Sequence, residues 1–313
     1  IQDLEELFLF IHGDVIFDID LGRFINFHIR HSADISFMTH LTNHPFDSDC
    51  ISESKSFQIN SYKLKTSKDS SNQFYLGNAG IAIISKSVVN FIKQKNLNQN
   101  KKLSLFKDFI IAAHENGYLV FSYNTSEYLK DMGTPKRLKT VENDIKSGKV
   151  KNNSYRVLQK VLFLDRDNTL IKSNQSDYII NKDFEFYNDR IYKLSKIAED
   201  FNFVVMVTNQ PQIAMGYISY QSVLDINIYV ILKCQELGLN ISCFYICPHH
   251  PHIGFKNEVS ILKTSCFCRK PSPGMFFEAS INRNISLQDS LLIGDSWRDK
   301  DSARYSKMNF IDV

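Results

Sequence analysis

The chain has 313 residues, 43% of them hydrophobic and 23% charged, with a formal net charge of +3 at pH 7. Those proportions suit a globular protein long enough for two domains, each with its own core. They leave no surplus of positive charge for a nucleic-acid surface, and no apolar run approaches the roughly 20 residues that span a bilayer, so neither nucleic acid nor membrane is expected as a partner.

The chain opens on Ile1 and DLEELFLFIHGDV, which reads as the middle of a fold, so further sequence is expected upstream. FLFIHGDVIF predicts a buried strand ending at Gly13-Asp14, LGRFINFHIRHSA an amphipathic helix and DISFMTHL a second strand. The polar stretch 52–73 reads equally as an exposed hairpin or as a loop. GIAIISK predicts a strand, SVVNFIKQK and LSLFKDFIIAAHENG predict helices, the latter closed by Gly117, and YLVFSYN predicts a strand. From 141 to 157 the sequence is polar and soon loses apolar periodicity, which places a linker at 146–157 between a domain over 1–145 and another over 158–313. The apolar runs VLFL, FVVMV, CFYI and LLIG then alternate with helical stretches such as DRIYKLSKIAEDFN and QSVLDINIYVILKCQELG. Such alternation predicts an α/β domain of Rossmann-like type, a parallel sheet covered on both faces.

Ligands of such sheets bind beyond the carboxyl ends of the strands, and three of these ends are polar. VLFL runs into Asp165 and Asp167, FVVMV into Thr208, Asn209 and Gln210, and LLIG into Asp295. Two carboxylates at i and i+2 of an extended backbone converge, and their repulsion must be offset by a cation, a raised pKa or solvation.

Four of the six cysteines lie between 243 and 268, a clustering that indicates metal ligation in a reducing, cytoplasmic setting sooner than a disulfide framework. Cys247 with His249 and Cys266 with Cys268 form two paired spacings that one tetrahedral Zn²⁺ would close as a structural site. His250 and His252 could replace His249, and spacing alone does not choose among them. Because Cys268 leads directly into Arg269 and Lys270, the metal would also fix that lysine.

DRDNTL, VTNQ, CRKP and GDSWRD, in this order, resemble the haloacid dehalogenase superfamily of phosphohydrolases over residues 158–313. The resemblance implies that Asp165 is the nucleophile of an aspartyl-phosphate intermediate and Asp167 the general acid and base. It further implies a Mg²⁺ on Asp165, Asp295 and the backbone carbonyl of Asp167, a hydrogen bond from Thr208 to the phosphoryl group and a charge contribution from Lys270. Asp299 would bind metal-bound water or orient Lys270, and Asn209, Gln210 and Arg269 would face the substrate. Asn168 stands where that family usually has glycine. DRDNTL, TNQPQIAMG, CPHHP and CRKPSPGM narrow the resemblance to the D-glycero-D-manno-heptose 1,7-bisphosphate phosphatases, with histidinol-phosphate phosphatases as relatives. Only short segments separate the motifs, so no large cap is expected.

In the first half, FIHGDVIFDID, GNAGIAIIS and YLKDMGTPKRL resemble the sugar-1-phosphate nucleotidyltransferases. On that resemblance Asp14 and Asp131 would hold a Mg²⁺, and Asn78 and Gly80 would lie along a sugar pocket. The family's glycine-rich nucleotide loop is not found in this sequence, so the first half is expected to be a truncated α/β nucleotidyltransferase-like domain or one that has lost nucleotide activation. The expected activity is removal of the 7-phosphate from a heptose bisphosphate in the synthesis of nucleotide-activated heptose, with a small sugar phosphate as the partner and a homo-oligomer left open. The rivals are a histidinol-phosphate phosphatase, a 3′-phosphatase of nucleic-acid ends, and a phosphatase whose first half is a non-catalytic binding or dimerisation module.

Overall fold

The computed structural model describes residues 5–42, 48–54, 56–66, 75–95, 102–173 and 185–313. The chain divides into two compact units, Ile1–Ser154 and Tyr155–Val313.

In the first unit the expected opening strand is two strands, β1 (Leu7–Ile11) and β2 (Val15–Asp18), separated by a turn in which Val15 N–H donates to His12 O at 3.3 Å. The run is also less buried than its composition predicts, because alternate residues Leu7, Leu9 and Ile11 are 45%, 40% and 39% exposed. α1 (Leu21–Arg30) follows, capped by Asp20, and then β3 (Ile35–Leu41). β4 (Cys50–Glu53) and β5 (Ile59–Lys63) form an antiparallel hairpin, which settles that part of 52–73; residues 55 and 67–73 of the stretch lie outside the described residues.

β6 (Leu76–Ser85) is the spine of this sheet. Along Leu76–Gly77 it pairs with β4, along Ile81–Ser85 with β1, and its other edge pairs with β3. The change of partner falls at Gly80, whose φ of +74° and contact with the His12 ring leave no room for a Cβ, which would sit 2.9 Å from that ring. α2 (Lys86–Lys95), a π-helical segment (Leu105–Ile111) and α3 (Ala112–Glu115) lead to β7 (Val120–Asn124), parallel to β3. One α-helix is expected over the segment closed by Gly117, and its first half is instead wound more widely as a π-helix. β8 (Tyr128–Asp131) pairs antiparallel with β2 as a separate ribbon. α4 (Pro135–Lys146) begins with Thr134 accepting from Arg137 N–H and Pro135 in its first turn, a strong start signal that carries the helix through charged sequence with only Val141 buried. The stretch proposed as a linker holds the short α5 (Lys149–Asn152) and the boundary between the units.

The second unit is the expected parallel sheet. β9 (Val161–Leu164), α6 (Asn188–Ile197), β10 (Phe203–Asn209), α7 (Tyr220–Glu236), β11 (Ile241–Cys247), α8 (Gly274–Arg283), β12 (Leu291–Gly294), α9 (Trp297–Ser306) and β13 (Asn309–Asp312) follow one another. The strand order is β11-β10-β9-β12-β13, all neighbours parallel. All four residues of β9 are 0% exposed, as a central strand covered on both faces requires. Phe163 meets Phe276 of α8 edge-on at 5.2 Å, and Val205, Val207, Leu292 and Ala303 complete that layer. β9 lies between β10 and β12, so the chain winds one way towards β11 and the other towards β13, and the crevice opens at the carboxyl end of β9. Residues 174–184, between β9 and α6, lie outside the described residues.

Candidate active site and metal centre

At the end of β9, Asp165 N–H donates to Ile293 O at 3.0 Å, so the first carboxylate is locked to β12 before its side chain is considered. Asp165 is 6% exposed. Lys270, 3% exposed, reaches in from the segment before α8. Its Nζ lies 2.6 Å from Asp165 Oδ1, 2.6 Å from Asp299 Oδ1 and 3.2 Å from Val207 O. Burial, with the Asp299 and Asp167 charges, pushes the Asp165 carboxyl up, and Lys270 opposes the shift. The same two carboxylates hold the Lys270 ammonium up against the desolvation that burial imposes. The triad depends above all on Lys270, which lies between the two carboxylates: without it two buried charges of like sign would be left with no partner.

Asp299 sits at the start of α9, where Ser296 caps the helix and its hydroxyl bonds Asp299 Oδ2. Gly294 makes room for it: a Cβ there would stand 2.6 Å from Asp299 Cγ. Both Asp299 oxygens are therefore engaged, one by the Lys270 ammonium and one by the Ser296 hydroxyl. Asp295 is half-buried, and burial pushes its carboxyl up while the Asn168 side chain bonds it. Asn168 adopts φ of +56°, the left-handed region that glycine would enter freely, and it supplies through its amide a contact glycine lacks.

Asp167 is surrounded by donors. Its Oδ2 accepts from Gln210 Nε2 at 2.8 Å, Thr208 Oγ1 at 3.3 Å and Arg166 Nη2 at 3.0 Å, while Arg166 Nε and Nη2 reach Oδ1 at 3.2 and 3.0 Å. Gln210 also donates to Thr208 Oγ1 at 2.7 Å. Thr208 and Gln210 are 0% and 1% exposed and turned onto Asp167. Asn209 is likewise occupied: its Nδ2 donates to Lys270 O and its Oδ1 accepts from Lys270 N–H, both at 3.0 Å, so it pins the backbone of the lysine. Both Asn209 and Gln210 were expected to face substrate; here their side chains bond the Lys270 backbone and the Asp167 carboxylate. Three further residues that no sequence motif marks as functional shape the site: Arg166, Asn227, which bonds Arg166 at 2.8 Å, and Arg190, whose Nη1 donates to the carbonyls of Asn168 and Thr169 at 2.6 and 3.3 Å. One signal was available: Asn227 is an amide within the apolar run of α7.

Asp165, Asp295 and Asp299 offer oxygens within 4.8 Å of one another. With Asp299 spent on Lys270 and Ser296, Asp165 and Asp295 are the carboxylates left for an ion. Mg²⁺ is commonly held by one or two carboxylates with water and phosphate oxygens completing its shell, so the donor set fits that ion.

The second cluster lies where β11 ends. Cys247, His249, Cys266 and Cys268 place one donor atom each within 4.8 Å of one another. The sulfurs of Cys268 are 3.2 Å from Cys247 and 3.3 Å from Cys266, Cys247 to Cys266 is 3.5 Å, and His249 Nδ1 is 3.2 Å from Cys268 and 3.7 Å from Cys247. Those spacings approach the roughly 3.8 Å edge of a tetrahedron with zinc–sulfur bonds of about 2.3 Å. No disulfide joins these cysteines. The neighbouring Cys247 sulfur, then burial, pushes the Cys268 thiol up, and burial does the same at Cys266. A divalent cation would relieve that crowding of thiols, so the donors fit Zn²⁺. The choice left open among the histidines falls on His249, since His250 Nδ1 instead faces His252 O at 3.3 Å. Arg269 Nη1 donates to His249 O at 3.3 Å and ties the cluster to the residue before Lys270.

In the first unit Asp14 and Asp131 come together beside Gly133, where a Cβ would lie 3.3 Å from Asp131 Oδ1 and 3.7 Å from Asp14 Oδ2. The register that pairs Val15 with Asp131 brings them there. Arg137 Nη1 already bonds Asp131 Oδ1 at 2.9 Å. Asn78 Oδ1 accepts from Gly80 N–H at 3.2 Å, and Gly80 is buried against His12.

A family model described as polynucleotide kinase 3 phosphatase matches residues 160–312. A D-glycero-alpha-D-manno-heptose-1,7-bisphosphate 7-phosphatase of Photorhabdus laumondii is 36% identical over 136 residues, 44% of this chain and 72% of that protein. A solved D,D-heptose 1.7-bisphosphate phosphatase of B. bronchiseptica, complexed with magnesium and phosphate, is 23% identical over 48% of this chain and 78% of its own, with a TM-score of 0.41. HddC of Yersinia pseudotuberculosis is 18% identical over 45% of this chain and 56% of its own, with a TM-score of 0.35.

Proposed function

Because this chain belongs to the family of D-glycero-D-manno-heptose-1,7-bisphosphate 7-phosphatases, which are phosphoric monoester hydrolases, we propose that its second unit removes the 7-phosphate of that sugar bisphosphate through an aspartyl-phosphate on Asp165. The observation that carries the mechanism is the buried triad of Asp165, Lys270 and Asp299 at the carboxyl end of the central strand. Lys270 occupies Asp165 Oδ1 and leaves Oδ2 for attack on phosphorus. Asp167 then gives a proton to the leaving sugar oxygen and later takes one from the attacking water. Asp165, Asp295 and the backbone carbonyl of Asp167 would hold a Mg²⁺, whose charge when bound offsets the repulsion between a carboxylate and a phosphate dianion. Lys270 supplies positive charge that needs no reorganisation during the reaction, because Asp299 and the Asn209 clamp fix its position. The product sugar 1-phosphate is a substrate of the class that nucleotidyl transfer activates.

A phosphate-release panel with Mg²⁺ tests this reading against its rivals. Release from heptose 1,7-bisphosphate well above that from histidinol phosphate and a 3′-phosphorylated oligonucleotide is expected. Preference for either of the latter would replace the assignment.

The sulfur and imidazole cluster would hold one structural Zn²⁺. A Cys266→Ser/Cys268→Ser double variant is expected to lose that metal, to melt at a lower temperature, and to lose activity as the Arg269-Lys270 segment loosens. Metal analysis beside a melting curve checks this, and a zinc-free wild type with unchanged melting and turnover would remove the site.

For the first unit we propose a nucleotidyltransferase-like module to which residues 1–154 supply an acidic pair, Asp14 and Asp131, and no glycine-rich run for a nucleoside triphosphate. The chain is expected to release no pyrophosphate from a sugar 1-phosphate, any nucleoside triphosphate and Mg²⁺. Release that disappears in Asp14→Ala/Asp131→Ala would show the opposite.

A further inference from the structure

Arg166 lies between the two aspartates of the motif and is 4% exposed. Its carbonyl accepts from the N–H groups of Leu170 and Ile171 at 2.9 and 3.3 Å, which closes the loop that carries Asp167. Its guanidinium grips both oxygens of Asp167 on one side and, through Nη1, donates to Asn227 Oδ1 at 2.8 Å on the other. Asn227 is 0% exposed in the middle of α7, where the other buried residues are Val223, Leu224, Ile226, Ile228, Val230, Ile231 and Cys234. Its amide nitrogen has no hydrogen-bond partner among the described residues. An orphaned donor in an apolar helix face is a cost, and among the described residues the bonded end of this side chain is Oδ1, which accepts from Arg166.

Asp167 itself is on a loop, with 28% of its side chain exposed, so its direction is not set by packing. Thr208 and Gln210 fix it from β10, and Arg166 fixes it from the other side only if the guanidinium is itself held. We propose that Arg166 and Asn227 form a relay that positions Asp167 for proton transfer to the leaving oxygen, so that Asn227, without touching substrate, sets how well the enzyme expels a basic alkoxide. This rests on the phosphatase reading above.

The dependence on leaving group separates positioning from a merely structural role. A sugar alkoxide needs the proton that Asp167 supplies, whereas p-nitrophenolate leaves without one. The ratio of kcat/KM for the sugar phosphate to that for p-nitrophenyl phosphate is therefore the readout, measured on the full chain with Mg²⁺. General acid catalysis contributes about 10²–10⁴-fold, and partial misplacement of the acid should lower the ratio by about 10- to 100-fold in Asn227→Leu. Asn227→Asp keeps an acceptor for Arg166 and should hold the ratio within about threefold of wild type. Should Asn227→Leu fail to fold because Arg166 is left unpaired, Arg166→Met/Asn227→Leu removes both polar partners together and is the variant to read; its ratio should fall as far. A ratio within about threefold of wild type in that double variant, while Asp167→Asn lowers it as general acid loss requires, would overturn the relay. Failure of the wild type on both substrates would instead overturn the phosphatase reading on which it rests.

Discussion

Asp165→Asn is expected to lower turnover by at least about 10³-fold, the scale of loss when a covalent nucleophile is removed and only binding and electrostatic stabilisation remain. The amide keeps the volume of the carboxylate, and Lys270 retains Asp299 as a counter-charge at 2.6 Å, so the fold should persist. Kinetics beside a melting curve separate the two effects. A variant that turns over at near wild-type rates would show that Asp165 does not attack phosphorus, whatever its burial.

Lys270→Met has a different signature, because it strips the cation from between two buried carboxylates. Asp165 and Asp299 would face each other at 9% and 0% side-chain exposure with no partner of opposite sign. Breaking a buried pair by removing one member typically costs about 3–5 kcal/mol, so both melting temperature and activity should fall. Adding Asp299→Asn to Lys270→Met removes one of the stranded charges. Stability should return in part, while activity should not, since the positive charge near the phosphoryl group is still missing. Recovery of both together would mean that Lys270 serves the fold alone.

The second unit was legible because its chemistry sits at strand ends and its strands are continuous apolar runs. VLFL, FVVMV, CFYI and LLIG each became a parallel strand, and Asp165, Lys270 and Asp299 met as the motif order implied. The cluster of three cysteines and a histidine was legible from paired spacing, and the geometry brings His249 to the sulfurs where spacing could not separate it from two neighbours. Less legible was what each polar residue touches. Asn209 and Gln210 look like substrate ligands when only their position after a strand is known, yet one binds the backbone of Lys270 and the other the Asp167 carboxylate. Those partners come from distant segments, and no local pattern encodes them.

In the first unit the local signals were weaker. A run of apolar residues through His12 does not reveal that the chain turns there and that β1 and β2 join different sheets, because pairing partners lie at β6 and β8. Charged sequence hid α4, although Thr134 and Pro135 marked its start. The juxtaposition of Asp14 with Asp131 depends on the register of β2 against β8, again a non-local fact.

On the proposed function the second unit cleaves one phosphate of a sugar bisphosphate and spares the other. Phosphorus NMR of D-glycero-D-manno-heptose 1,7-bisphosphate incubated with the chain and Mg²⁺ tests it most directly. The 7-phosphate signal is expected to pass into inorganic phosphate while the anomeric 1-phosphate signal persists. Loss of the anomeric phosphate first, or no release at all under conditions where the protein is folded and metal-loaded, would contradict it.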